Sequence, residues 1–348
     1  MLRRLLKDFR FGVLPVPGRL LAVIFFVFLL IIPVITGARY TLHLFNLIAI
    51  FAMFAVSWDL LSGYTGQVNF GHALFFGAGG YATALLSHHL GWQPWATVPL
   101  AAVIAALVGT LTSLPALRLR PPYLSLLTLA FPLILEQVLK AVPKEIAGGH
   151  YGLRGFAPLA TSPVGEYYLI FIVMTVSILI MWKLTDAGSK NIRTGLIFHA
   201  IREDEIAARA TGINTIRYKI LAFAIGGFFA GLAGALYAHV FSAVGPSVFS
   251  MVNSFTIIIY VVFGGIVSIY GAVVGVYTLY PLVELLRGSA IAGYRFLIMT
   301  GLVILVLLFM PEGVAVWIRD KIERECPRCK LSNVAWRKQC RACSAPLR

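Results

Sequence analysis

Long uninterrupted apolar stretches are the feature of this 348-residue sequence that most limits its possible folds. They recur along the chain in blocks of about 17–25 residues, the length that a helix needs to cross a bilayer. Charged residues make up only 12% of the sequence, roughly half of their share in a soluble domain. Lipid offers the backbone no hydrogen bonds, so such blocks form helices or closed barrels. Their continuous rather than alternating pattern excludes a barrel.

The sequence therefore predicts an all-α polytopic membrane protein with about ten transmembrane helices. The division between the eighth and ninth helices rests only on the small residues Gly264, Gly265, Ser268 and Gly271. The predicted spans are 20–36, 41–61, 70–90, 95–117, 122–142, 166–184, 218–241, 252–268, 269–286 and 294–311.

The basic residues give the predicted orientation in the membrane. A net charge of +15 would suit a protein that binds nucleic acid, but the positions of the charges argue against that function. With the N-terminus in the cytoplasm, 23 of the 29 Lys and Arg residues lie in segments predicted to be inside. Lys and Arg concentrate on the cytoplasmic side of membrane proteins, so both termini are predicted to be cytoplasmic. No cleavable secretion signal is evident.

Small residues recur at every fourth position in two of the predicted spans. Residues spaced by four lie on one face of a helix, and small side chains there let another helix approach closely. These lines predict tight packing within the bundle. They are Gly226, Ala230 and Gly234, the neighbouring Gly227, Gly231 and Ala235, and Gly271 with Gly275.

A long charged loop, 185–217, lies on the predicted cytoplasmic side. Its segment 200–214 is predicted to form one short amphipathic helix, in which Glu205 precedes Arg209 by four residues, the favourable order for an ion pair. Gly212 suits the left-handed position that ends a helix, and Thr215 can cap the next one. Such a helix can anchor on lipid or dock on a soluble partner. Its acidic middle favours docking, because anionic lipids repel it.

A glycine-spaced polar run, 62–72, separates the second and third predicted spans. Its glycines can break a helix, and irregular backbone is tolerated in a membrane only against protein or water. Gln67, Asn69 and His72 are therefore candidates for a substrate pathway or, near the inner face, a gate. An ordinary turn between two helices explains the run equally well.

Titratable residues in or near the spans are expected to have a partner or a function, because a charge within a bilayer is costly. A charge that faces a partner helix or lies at a span end explains each of them as well as a role in transport does. The residues are Asp59, His72, Glu136, His239 and Glu284.

Two stretches of the sequence resemble a known transporter family. Glu205-Ile-Ala-Ala, followed by Gly212 and a membrane helix, resembles the EAA-type cytoplasmic loop of ABC-importer permeases. The longer strings 200–214 and 58–81 are similar to the LivM-like permeases of branched-chain amino acid ABC importers. The likeness runs from about 45 to 313 and includes 115–120, 126–129 and the Gly264-Gly265 pair. Where the family commonly has a glycine before Ser268, this chain has Val267.

The resemblance implies a permease subunit of an ATP-driven importer, with branched-chain amino acids as the favoured cargo. It implies a second related permease, two ABC ATPase subunits and an extracytoplasmic solute-binding protein that docks on outside loops such as 143–165 and 242–252. The chain would lie among the lipids of a prokaryotic cytoplasmic membrane. An ABC permease for urea, amides or other amino acids remains an alternative, and so does a stand-alone secondary transporter.

The resemblance also assigns a role to the cytoplasmic loop. In ABC permeases the loop helix fits a groove on the ATPase and transmits its closure. The chain has no Gly-x-x-x-x-Gly-Lys-Ser/Thr sequence that would cradle phosphates, so it is not expected to be an enzyme and carries no predicted ATP site. The residues that match the coupling loop are Ala200, Arg202, Glu203, Glu205, Ala207, Ala208 and Gly212.

The C-terminal tail has a different chemistry. Cys326, Cys329, Cys340 and Cys343 form two Cys-x-x-Cys pairs, and four thiolates at this spacing close a tetrahedral zinc site. Disulfides are a poorer explanation in a reducing cytoplasm. A redox Cys-x-x-Cys pair is an alternative, but it does not need a second copy. So small a module gains its folding free energy from the metal. The sequence predicts a zinc-ribbon-like module with structural zinc.

The tail is similar to a RanBP2-type zinc finger, with Asn333 at the position of that family's Asn. Such fingers bind single-stranded RNA or ubiquitin, but Arg324 replaces the family's Trp. A positively charged cap beside the membrane is therefore the favoured reading, and nucleic acid is not an expected partner. The predicted division of the chain is a basic N-terminus at 1–19, a permease domain at 20–317 and the four-cysteine tail at 318–348.

Overall fold

The computed structural model describes residues 17–119, 121–186, 193–288, 292–329, 332–340 and 343–347. The basic residues Arg3, Arg4, Lys7 and Arg10 of the N-terminus lie outside this part of the chain, as do Arg120, Lys330 and Arg341.

Helices dominate the described residues, and each of the ten predicted spans falls on one of them. They are α1 Pro17–Ile35, α2 Arg39–Trp58, α3 Ala73–Leu90, α4 Pro94–Ala116, α5 Pro121–Ala141, α7 Pro163–Thr185, α10 Thr215–Phe241, α11 Met251–Gly264, α12 Ile269–Arg287 and α13 Arg295–Phe309. Shorter helices in the connections are α6 Lys144–Ala147, α8 Thr194–Glu203, α9 Glu205–Ala210 and α14 Val314–Ile322. Strands β1 Leu153–Arg154 and β2 Ala243–Val244 pair with each other, as do β3 Glu323–Glu325 and β4 Ser332–Val334.

The described helices differ in their capacity to cross a membrane. Seven helical stretches are long and apolar enough to do so, with α13 and α14 counted together. Helices α1, α3 and α11 fall outside that set. With 14 residues, α11 is about 21 Å long, shorter than the ~30 Å of hydrocarbon in a bilayer. The all-α membrane fold is confirmed with seven candidate spans, and the count of ten crossings stays a prediction.

Helix α10 packs at the centre of the bundle against α3 and α4. A Cβ atom added at Gly234 would lie 1.9 Å from the carbonyl oxygen of Phe76, and one at Gly231 would lie 2.1 Å from the Cβ of Ala105. Only glycine permits so close an approach. The predicted role of the small-residue lines in helix packing is confirmed.

The connections meet at two ends of the bundle. At one end, β1 of the 143–165 segment pairs with β2 of the 242–252 segment, in the register Leu153 to Val244 and Arg154 to Ala243. At the other end, the ring of Tyr64 lies edge-on to His199 with 5.3 Å between the centroids. Segments predicted to share a side of the membrane are therefore neighbours, which supports the alternation of the helices.

The segment before α11 turns back into the bundle. Phe249 lies against the middle of α3, where a Cβ atom added at Gly77 would come 2.4 Å from the Phe249 ring. The backbone N–H of Ala73 donates to Ser254 Oγ at 2.9 Å. Helix α11 thus begins inside the fold, and the predicted span 252–268 is corrected to a shorter helix that ends at Gly264.

Candidate functional site

The charged loop forms two helices where the sequence predicted one. Asp204 has an extended backbone between α8 and α9, with φ −153° and ψ 107°. Its carboxylate accepts hydrogen bonds from the backbone N–H groups of Ile206 and Ala207, at 2.8 and 3.0 Å. This is the N-cap arrangement, which starts a new helix. The prediction of a single helix over 200–214 was wrong because Asp204 caps α9.

The end of α9 follows the predicted pattern more closely. Gly212 has the left-handed backbone expected after a helix, with φ +87°. The cap of the next helix is Asn214, whose Oδ1 accepts from the N–H of Arg217 at 3.2 Å. Thr215, predicted as the cap, is instead the first residue of α10. Asparagine and threonine both serve as caps, and the chain uses the earlier of the two.

Glu205 joins α9 to the first turns of α10. Its carboxylate pairs with Arg209, as predicted, accepts from Thr215 Oγ1 at 3.1 Å and pairs with Lys219 Nζ at 2.6 Å. Lys219 is 8% exposed, and a buried ammonium requires such a partner. Glu205 therefore fixes the short helix to the bundle.

The ionisation of Glu205 is protected against acid. Burial raises its pKa, but hydrogen bonds from Lys219 and Arg209 outweigh burial and hold the pKa of this carboxyl below its ordinary value of 4.5. A lowered pKa adds stability that is fully present above the ordinary value and is lost as pH falls through the lowered one. The contact between α9 and α10 is thus complete at neutral pH.

The outer surface of α9 is apolar and accessible. Ile206 is 80% exposed, whereas Ala208 on the opposite side is buried at 5%. Beside the helix lies a groove of about 620 Å³ that includes Ile197, Ile213 and Tyr218. Of the predicted coupling residues, Arg202, Glu203, Ala207 and Gly212 are exposed with Ile206, and Glu205 is partly buried behind them. Ala200, on α8, is partly buried as well.

Asn69 and His72 lie in the interior and bond to protein groups. The His72 ring bonds Ser57 Oγ through Nε2 at 2.9 Å and stacks on Phe54 with 5.4 Å between the centroids. Trp58 Nε1 donates to the carbonyl of Asn69 at 2.6 Å. Gln67 is partly exposed, and its Nε2 donates a hydrogen bond to the carbonyl of Thr65 at 3.4 Å. The three gate candidates therefore separate into two that hold the loop and one at its surface.

Asp59 binds the linker between α11 and α12. It lies in a π-helix, Asp59–Gly63, that continues α2, and it is wholly buried. Its Oδ1 accepts from the backbone N–H of Val267 at 2.8 Å. A Cβ atom at Gly63 would lie 2.0 Å from this oxygen, so Gly63 makes room for the carboxylate. The buried carboxyl group thus has a backbone partner in the linker.

Val267, where the resemblance expects a glycine, has a left-handed backbone with φ +63°. This conformation is a strained one for a β-branched residue. Replacing Val267 with glycine should cost less than about 1 kcal/mol, because relief of ~1–2 kcal/mol of strain offsets the lost contacts. Val261 is helical and wholly buried, and the same change there should cost about 3 kcal/mol. Thermal unfolding of the detergent-solubilised variants measures both costs, and equal losses would contradict the strain.

The four tail cysteines converge, and all four sulfur atoms lie within 4.8 Å of one another. Cys326 Sγ is 3.5 Å from Cys343 Sγ, and Cys329 Sγ is 3.5 Å from Cys340 Sγ. Two sulfurs of a tetrahedral zinc site with Zn–S bonds of ~2.3 Å are about 3.8 Å apart. The observed spacing fits that geometry, so the cluster can bind a metal.

Groups around the sulfurs favour thiolates. The backbone N–H groups of Cys329 and Arg328 lower the pKa of the Cys326 thiol, and the thiolate is the form that binds metal. Asn333 Nδ2 donates to Cys340 Sγ at 3.6 Å. Strands β3 and β4 bring Asn333 to this position, opposite Arg324. The position of Asn333 thus agrees with the resemblance that singled it out.

Three residues of these sites were missed by sequence reasoning. Asp204 is a readable N-cap signal, but the apolar periodicity on both of its sides hid the break. The exposed Ile206 was grouped with the helix without a role of its own. Ser57, which holds His72, is distant in sequence and carries no local signal.

Comparison with known proteins supports the family resemblance. The model of the family described as "Branched-chain amino acid transport system / permease component" matches residues 40–310. The Escherichia coli (strain K12) high-affinity branched-chain amino acid transport system permease protein LivM is 29% identical over 322 residues, covering 86% of this chain and 73% of that protein. LivH of the same organism is 26% identical and covers 76% of this chain and 90% of its own. A probable LivM of Methanocaldococcus jannaschii is 28% identical over 53% of this chain and 63% of its own. No solved structure matches the chain.

The family match covers well over half of the chain, and its limits enclose the coupling loop, the 62–72 segment and nearly all of the helices α2 to α13. The metal-binding cysteines lie beyond it. The chain therefore belongs to the family of branched-chain amino acid transport system permease components, as a multi-pass transport subunit of an ABC system.

Proposed function

We propose that this permease works as one half of an ATP-driven importer for branched-chain amino acids in a prokaryotic cytoplasmic membrane. A second related permease would complete the path, two ABC ATPases would drive it, and an extracytoplasmic binding protein would deliver the cargo. The matching relatives, whose names specify branched-chain amino acids, support this substrate class. Both termini would lie in the cytoplasm, as the distribution of Lys and Arg suggests.

Helix α9 would be the element that grips the ATPase. The observation that carries this assignment is an apolar residue, Ile206, held 80% exposed on a helix that Glu205 ties to Lys219. An apolar side chain on a firmly held short helix is suited to insertion into a groove of a soluble partner. Because Lys219 belongs to α10, movement of α9 would reach the helix at the centre of the bundle.

The 62–72 segment would serve as part of an inner gate. Gly66 lies beside the coupling loop, and a Cβ atom added there would be 3.6 Å from the side chain of Arg202. Gln67 would face the path, whereas Asn69 and His72 would keep the loop in shape through Ser57 and Trp58. Because Gly66 lies so close to Arg202, a movement of α8 would be transmitted directly to the 62–72 segment.

The paired segments 143–165 and 242–252 would receive the binding protein. Their two strands hold the segments together, and His239 Nδ1 bonds the carbonyl of Ala157 at 2.7 Å. A surface fixed in this way needs little ordering when a partner docks, which lowers the cost of binding.

The C-terminal tail would hold one structural zinc ion on Cys326, Cys329, Cys340 and Cys343. Zinc binding would supply the folding free energy of a module with few apolar residues. The resemblance to a RanBP2-type finger is consistent with the hydrogen bond from Asn333 to Cys340. We place the boundaries of the regions at 1–19, 20–317 and 318–348, with α14 leading from the permease domain into the tail.

Reconstitution in proteoliposomes tests the function as a whole. The chain with its second permease, ATPases and binding protein should take up radiolabelled leucine, isoleucine and valine only when ATP is present on the ATPase side. Urea should not be taken up. Uptake by this chain alone without ATP would overturn the proposal in favour of a secondary transporter, and uptake of urea in place of amino acids would overturn the substrate class.

A further inference from the structure

Helices α2, α10 and α12 present an aromatic surface near the end of the bundle that carries β1 and β2. We call Phe51, Tyr237, Phe241 and Tyr280 the aromatic wall. The rings of Phe51 and Tyr280 are 5.2 Å apart, and those of Tyr237 and Phe241 are 4.7 Å apart. Phe51 and Tyr237 join the two pairs at 6.5 Å. Phe241 is 42% exposed and the other three side chains are partly exposed, so the wall reaches the surface of the subunit.

A charged pair lies beside the aromatic wall. Arg287 Nη1 is 3.0 Å from Glu284 Oε2. Tyr280, Glu284 and Arg287 are spaced by four and three residues on α12, so they lie on one face of that helix. The His43 ring lies 5.2 Å from the Phe241 ring of the wall. One acid and one base are therefore close to the same aromatic surface.

This surface is a poor match for lipid tails. Glu284 and both tyrosines of the wall belong to long helices assigned to the membrane. Ionisable residues in such helices face a protein neighbour or a water-filled cavity. The wall is thus expected to border the path between the two permeases.

The aromatic wall opens into a depression at the mouth of the bundle. Tyr237 and Phe241 also line a depression of about 340 Å³ together with Tyr151, Arg154 and the β2 segment. The depression lies against the paired segments proposed to receive the binding protein. Cargo released there would meet the aromatic wall first.

We propose that the aromatic wall, Glu284 and Arg287 form an entry site for a zwitterionic amino acid with an apolar side chain. The ammonium group binds the Glu284 carboxylate, the carboxylate binds the Arg287 guanidinium, and the side chain packs on Phe51, Tyr237 and Tyr280. The Arg287 and Glu284 side chains are 59% and 21% exposed, and ion pairs within reach of water contribute little stability. A zwitterion can therefore replace the Glu284–Arg287 contact with two charge-assisted hydrogen bonds. This inference rests on the proposed function and names where its cargo first binds.

Photo-leucine, a photoreactive analogue of leucine, tests the site in the assembled importer. Irradiation should label peptides that contain the aromatic wall, and excess leucine should suppress the labelling. Glu284→Gln and Arg287→Gln should each reduce it about tenfold, the loss of one hydrogen bond to a charged group. The Arg287 side chain is 59% exposed, so its replacement keeps the test valid if Glu284→Gln does not fold.

The control is Glu136→Gln on α5. Glu136 pairs with Lys140 at 2.7 Å, the same kind of helical ion pair at the same predicted side of the membrane, and its loss should leave labelling of the wall unchanged. If the wild-type importer takes up leucine but the label falls elsewhere, or if both charge variants label normally, the entry site is wrong. If the importer takes up no branched-chain amino acid, the proposed function itself fails.

Discussion

Replacing Cys340 with serine should lower the zinc content of the purified permease from about one ion per chain to nearly none, and the tail should lose its fold. A serine hydroxyl does not replace a thiolate as a zinc ligand, and a site of three thiolates binds zinc far more weakly than a site of four. Structural zinc sites carry roughly 10–16 kcal/mol of apparent binding free energy. No packing in so small a tail can offset that loss. Elemental analysis measures the metal, and limited proteolysis of residues 323–347 measures the fold.

Lys338→Ser is the matched control, because Lys338 is exposed and lies two residues before Cys340. It should keep both the zinc and the resistance to protease. Asn333→Ala should give an intermediate result, a loss of about 10–100-fold in zinc affinity, since it removes a hydrogen bond to a ligand sulfur. A metal-free tail that resists protease as the wild type does would contradict a structural zinc site.

Ile206→Asp should reduce ATP-driven uptake to less than about a tenth of wild type, while the permease itself stays folded. The side chain is 80% exposed, so the fold gains nothing from it and loses little when it is changed. A carboxylate buried in an apolar groove of the ATPase would cost at least ~1.4 kcal/mol, which is a factor of ten in binding. Uptake into proteoliposomes measures the loss of transport, and co-purification of the ATPase measures the loss of binding.

Ile206→Leu preserves the apolar contact and should retain uptake. Glu205→Gln acts differently, because it leaves the buried Lys219 without its charged partner. It should impair uptake and also lower the thermal unfolding temperature, which Ile206→Asp should not. If the Ile206→Asp variant binds the ATPase and takes up substrate normally, α9 is not the element that docks on the ATPase.

Hydropathy located the helices because each long helix is specified by its own residues. The ten predicted ranges fall on ten helices for this reason, and the glycine break after Gly264 was readable from four small residues. The role of the buried Asp59 was not readable, since its carboxylate binds Val267, more than two hundred residues away. The re-entry before α11 likewise depends on the contact of Phe249 with α3.

The metal cluster and the membrane-side sites also differed in how far the sequence predicted them. Cysteine spacing alone predicted the metal cluster, because both pairs of ligands are local motifs. The coupling loop was found by pattern, but its break at Asp204 and the burial of Lys219 required the fold. The segment 62–72 was recognised as unusual, yet the hydrogen bonds of His72 with Ser57 and of Asn69 with Trp58 assign these two residues to holding the segment in shape.

The short α11 has a consequence for the surrounding bilayer. Its polar ends lie closer together than the two surfaces of an ordinary membrane, and the side chain of Ser250 caps the first of them. Lipids with shorter or more fluid chains match the hydrophobic length of such a helix, whereas a thick, ordered bilayer must deform beside it at an energetic cost. The acyl-chain composition of the host membrane therefore becomes part of the environment to which this permease is fitted.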